Sequence, residues 1–105
     1  MKNTLTDTAQ RDLSLTALSL CSTLLQTTLS DEAYGIKRSN CARLEYWRLD
    51  GLCKALDAVS YHGAATSIID STLKAYRGEC DTAMMQGLML LIYHTSDALR
   101  NGFLE

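Results

Sequence analysis

A chain of 105 residues, 47% apolar and 21% charged, has the makings of one packed domain and too little length for two. Ten Lys and Arg against twelve Asp and Glu leave a net charge of -2, which argues against the clustered positive charge of a phosphate binder and the carboxylate array of a nucleic-acid mimic. There is no proline, so long helices are permitted, and the six glycines mark where they stop.

Asp7, with Gln10 three positions on, resembles a capping box, and Leu13, Ala17, Leu20, Cys21, Leu24 and Thr28 share one helical stripe. These predict a first helix over about 8–29. Its uncharged run, Leu13–Ser30, is no membrane span, because nine of its eighteen residues are Ser, Thr or Gln. Leu18-Ser19-Leu20-Cys21 imitates a lipoprotein cleavage box, but Leu20 is too large for the position before the cysteine. Asp7 and Asp12 also stand where a leader needs positive charge. The apolar run at 83–93 covers only about 16 Å of helix, half a bilayer core. A cytoplasmic protein that avoids membranes is expected. Leu13, Leu18, Leu20, Cys21, Leu24, Leu25 and Leu29 span about 180° of the first helix, more than the roughly 100° that one core needs, and Leu15 lies beyond that arc. The opposite side, with Thr16, Ser19, Ser22, Thr23 and Gln26, is free of charge and suits docking.

A loop is expected over 30–39, with Ser39 or Asn40 capping a second helix at about 40–60. Cys41, Leu44, Leu49, Leu52, Ala55, Leu56 and Val59 make its apolar face. Trp47 falls away from that face, among Arg43, Asp50, Lys54 and Asp57. Either the 30–39 connection or the side of the first helix covers the ring, or Trp47 is an interface anchor, since tryptophan beside arginine is the composition of binding hot spots. Gly51, Ala55 and Ala58 beside it would admit a partner helix closely. Arg48 falls on the apolar side with Leu44, Leu52 and Ala55, where its charge must find a carboxylate or reach out to water.

A third helix at about 64–76 buries Ile68, Ile69, Leu73 and Tyr76 and stops at Gly78. Asp81 caps a fourth at about 82–101, with Met84, Met85, Leu88, Leu91, Ile92 and Leu99 inward and Gly102 as its end. Met89 widens that face to half the circumference, and Leu90 projects from the other side near Gln86 and Asp97. No alternating pattern lasts five residues, so the fold class is all-α without a sheet: a four-helix bundle or an irregular orthogonal bundle. Two helices with faces too wide for one core, in so short a chain, point to a homodimer.

Chemical signatures are sparse. Cys21, Cys41, Cys53 and Cys80 are 20, 12 and 27 residues apart, without a C-x-x-C pair, which argues for reduced thiols and against a zinc site. Cys21, Cys41 and Cys53 sit among apolar neighbours, as buried thiols do. His62, expected in a turn, and His94, on the polar side of the fourth helix, are not spaced to activate Cys53 or Cys80. Glu45 and Asp81 belong to no metal-binding motif, and the isolated glycines build no phosphate loop. No catalytic residue, cofactor or metal is assigned.

The residues therefore point to a small cytoplasmic interaction or regulatory protein of the kind found among bacterial and phage accessory factors, partnered by itself and by another protein. Trp47, Arg43, Arg48, Gly51, Lys54, Leu15 and Leu90 are its candidate contacts. A second reading takes 55–74 as a helix-turn-helix around Tyr61-His62-Gly63. In it Thr66, Ser67, Lys74 and Arg77 face DNA while Lys37, Arg38, Arg43, Arg48 and Lys54 clamp the backbone, diluted by Glu45, Asp50, Asp57 and Asp70. A third takes Met84, Met85 and Met89 as the lining of an apolar ligand pocket.

Overall fold

The computed structural model describes residues 7–59, 61, 63 and 65–102. They form four helices and no strand: α1 (Asp7–Ala33), α2 (Asn40–Ala58), α3 (Thr66–Tyr76) and α4 (Thr82–Arg100). The molecule is an all-α helical bundle.

The helix α1 runs past the expected end near 29, and the physical reason is Gly35. At φ 71° this residue is the left-handed stop of a Schellman motif, donating to Glu32 O at 3.2 Å while Ile36 N donates to Asp31 O at 2.8 Å. The loop shrinks from 30–39 to the residues between Ala33 and Asn40. It is tied back by the buried Asp31, whose Oδ2 accepts from Ser39 N at 2.9 Å and from Ser39 Oγ at 3.0 Å. Ser39 in turn accepts from Ala42 N and caps α2. Gly78 repeats the Schellman stop after α3, with φ 84°, and Asp81 caps α4 by accepting from Met84 N at 2.8 Å. Asp7 falls within the first turn of α1 rather than before it.

Packing explains the width of the apolar face on α1. This helix touches α2, α3 and α4, so Leu18, Leu24, Leu25 and Cys21 are all fully buried between three neighbours. The first wide face is thus satisfied within the chain. The helix α3 also touches α2 and α4, whereas α2 and α4 do not meet. The four helices therefore make a rhombus in section, with α1 and α3 sharing the short diagonal and α2 and α4 each keeping an outer half-cylinder in solvent.

Candidate interaction surface

The face that α2 turns inward differs from the expected one. Ala42, Glu45, Leu49 and Leu56 are buried, with Tyr46, Leu52, Cys53 and Val59 packed beside them, while Cys41, Leu44 and Ala55 are exposed. Glu45 makes this rotation possible. Its carboxylate enters the interface with α1, where Oε1 accepts from Thr27 Oγ1 at 2.7 Å and from Cys41 Sγ at 3.1 Å. Its Oε2 is buried without a hydrogen-bond partner among the described residues, so the carboxylate is only half satisfied where α2 turns it inward and presents Leu44 to water. The expected burial of Cys41 is corrected accordingly; only Cys21 is buried among the free thiols, with Cys53 and Cys80 half-buried.

With that phase, the outward side of α2 is a strip of Leu44, Trp47, Gly51, Ala55 and Ala58. Trp47 is 74% exposed and Leu44 53%. The 30–39 connection, folded back on Asp31, does not cover the indole. Gly51 faces open space, with no atom within 4 Å of where a Cβ would stand. Arg43 and Arg48 border the strip on its two sides. Both are exposed and neither has an ion-pair partner among the described residues, whereas Lys54 is held by Asp50 at 3.0 Å. That contact raises the Lys54 ammonium above its ordinary pKa through the hydrogen bond to Asp50. Arg48, placed by the sequence on the apolar side where its charge must find a carboxylate or reach out to water, takes the second course and stands on an exposed edge.

The other candidate contacts fall elsewhere. Leu90 is 62% exposed on α4. Leu15 is half-buried against the core and lines the groove between α1 and α4 with the half-buried Met89 and the buried Ile92, and so belongs to the packing of the chain itself. Met84 and Leu91, expected in the core, are 57% and 50% exposed, because α1 and α3 cover only the side of α4 that carries Met85, Ile92 and Leu99. The three methionines are thereby separated: Met84 in solvent, Met85 in the core, Met89 half-buried. They do not line a common pocket. An apolar cavity of about 160 Å³ lies instead between α2 and α3, bordered by Cys53, Leu56, Tyr61 and Ile69, and is smaller than usual small-molecule sites.

On α3, Thr66 and Ser67 are exposed, but both cations of the DNA face in the helix-turn-helix reading are engaged, Lys74 with Asp70 at 3.2 Å and Arg77, just past the helix, with Glu79 at 2.9 Å. Each cation brings its own carboxylate toward any phosphate. Arg38, counted above as a backbone clamp, lies over the Tyr76 ring at 5.1 Å and donates through Nε to Tyr76 O, closing the carbonyl end of α3. Tyr76 stacks in turn on Tyr46 of α2 at 4.2 Å. This ladder escaped sequence reasoning, which had no means of bringing residues 38, 46 and 76 together.

His94 is exposed and meets Tyr93 edge-on; His62 lies outside the described residues. No cluster of three or more His, Cys, Asp and Glu residues arranged to hold a metal occurs among the described residues, and none of their helices is long and apolar enough to cross a membrane. No protein-family model, curated protein or solved structure matches the chain.

Proposed function

We propose that this chain is a small, non-catalytic interaction protein of the cytoplasm, itself a homodimer, that seats a segment of another protein on the outward side of α2. The observation that carries the reading is the uncovered Trp47, set between two arginines without ion-pair partners among the described residues and beside the open Gly51. A large, stiff ring in water is an anchor that loses little conformational freedom on binding. Gly51, Ala55 and Ala58 leave room for a helix to lie close to the α2 backbone, and Arg43 and Arg48 select carboxylates at its margins.

The test is Trp47→Glu. Since the ring is exposed, the variant keeps its helical spectrum and melts within about 5 °C of the parent, an effect below about 1 kcal/mol for a chain of this size. The parent, whose single tryptophan is the exposed Trp47, is expected to show the fluorescence of a solvated indole. Protein retained on tagged parent chain purified from its own host falls at least about tenfold with Trp47→Glu, as for a hot-spot residue. Unchanged retention would move the docking site off α2, and a collapse of the helical spectrum would make Trp47 a structural residue.

A further inference from the structure

The outer half of α4 carries a second uncovered strip, and its chemistry is unlike that of α2. We infer that it is the seam of the homodimer, occupied by α4 of a second copy running antiparallel. The inference deepens the dimer part of the reading above and is independent of where another protein docks.

Met84, Gly87, Leu91, His94 and Ala98 recur at intervals of three, four, three and four residues, the spacing that keeps one seam facing a partner helix. Ala83 and Leu90 flank it. Met84, Leu90 and Leu91 are half or more exposed, Gly87 and His94 are exposed, and Ala98 is half-buried. From Thr82 to Ser96 there is no Asp, Glu, Lys or Arg.

Charge selects the occupant. A strip without charge repels no copy of itself. An acidic partner finds no cation along this seam, and a lipid surface finds no basic cluster of the kind that holds an interfacial helix, since Arg100 in the last turn is the one cation of α4 and Asp81 and Asp97 lie near its two ends. The shape is self-complementary. With a two-fold axis beside Met89, the leucine at position 91 of each copy lies over the glycine at position 87 of the other, a knob against a notch, and the two Leu90 side chains meet beside it. Gly87 is open in the single chain, with no atom within 4 Å of a built Cβ, so the notch is not occupied from within.

Sedimentation velocity over about a hundredfold range of concentration tests this with the full chain. The parent is expected to sediment as a dimer, and Leu91→Glu to raise the dimer dissociation constant at least about 30-fold, as for a central interface residue, with its helical spectrum intact. Gly87→Leu guards against a folding artefact. It adds a better helix former at an open position, so the single chain gains stability while the filled notch weakens the dimer. A parent that stays monomeric, or a dimer that survives both substitutions, overturns the seam. A dimer lost with Trp47→Glu and kept with Leu91→Glu also overturns it, by moving self-association to α2. Loss of partner retention alone, with the dimer intact, would instead fault only the docking reading.

Discussion

Cys41 sits in the first turn of α2, a position where a thiol is ordinarily acidified by the helix N-terminus. Here the opposite holds: the hydrogen bond to Glu45, and then the carboxylate charge, push the Cys41 thiol above its ordinary value. Exposure and reactivity are thereby separated, and alkylation of Cys41 by iodoacetamide at mild alkaline pH is expected to be slower than that of a free cysteine. Glu45→Gln, which keeps the shape and removes the charge, accelerates it; a rate equal to that of the parent would show that the carboxylate does not govern the thiol. Cys21 makes a different statement, about stability. Burial pushes its thiol up to about 11, against an ordinary 9.0. The folded chain holds that proton to higher pH than the unfolded chain does, so the contribution is complete below about pH 9 and drains away as pH rises toward 11. About 3 kcal/mol is at stake over that interval. Denaturant titrations at stepped pH will show the decline, and Cys21→Ala, though less stable at neutral pH, will lose its share of the slope.

Among the elements, the glycines divide into two kinds with opposite expected effects. Gly35 holds φ 71° at the end of α1, so Gly35→Ala costs about 1 kcal/mol for the left-handed backbone. Gly51 lies inside α2 with open space at its Cβ, so Gly51→Ala adds about 0.5–1 kcal/mol through helix propensity. Denaturant midpoints moving in opposite directions for the two variants are the check. Gly35 also shows what was legible in the sequence and what was not. Caps that depend on a few adjacent residues, such as Ser39, Asp81 and Gly78, could be read directly, and the starts of α2 and α4 followed from them. The end of α1 could not, because its Schellman stop is secured by Asp31, whose partner Ser39 is eight positions away. The phase of α2 was misjudged for a similar reason. The apolar stripe puts Leu44 in the core, yet Glu45 turns inward, its Oε1 accepting from Thr27 on α1 and Cys41 on α2 while its Oε2 is buried without a partner among the described residues, and Leu44 and Arg48 lie outward. Trp47 remained legible as the anomaly of the strip, because no rotation of α2 that buries Leu49 and Leu56 could bury it as well.

At the scale of the whole molecule, the rhombic section explains why two apolar faces can coexist without being one surface. The axis formed by α1 and α3 separates α2 from α4, with no Cα pair between them within 8 Å. Coupling across such a gap would have to pass through the packed core, where Leu18, Leu24 and Leu25 are fully buried and Ile69 nearly so. Substitutions that change only the outer halves leave that core untouched. Trp47→Glu and Leu91→Glu are therefore expected to be additive, with a double-variant coupling within about 0.5 kcal/mol in denaturant unfolding measured where the chain is monomeric. The same independence is expected in binding under the proposed arrangement: Leu91→Glu chains, made monomeric, would retain the partner of α2, and Trp47→Glu chains would still dimerise. A dimer closed along the proposed α4 seam, with two outward-facing α2 helices, would be bivalent, so partners linked in pairs would bind it more tightly than single ones while Leu91→Glu would abolish that advantage and leave the single-site affinity in place. Measured side by side, single and tandem partner segments would thus separate the proposed contribution of α2, the affinity of one site, from the proposed contribution of α4, the number of sites that act together.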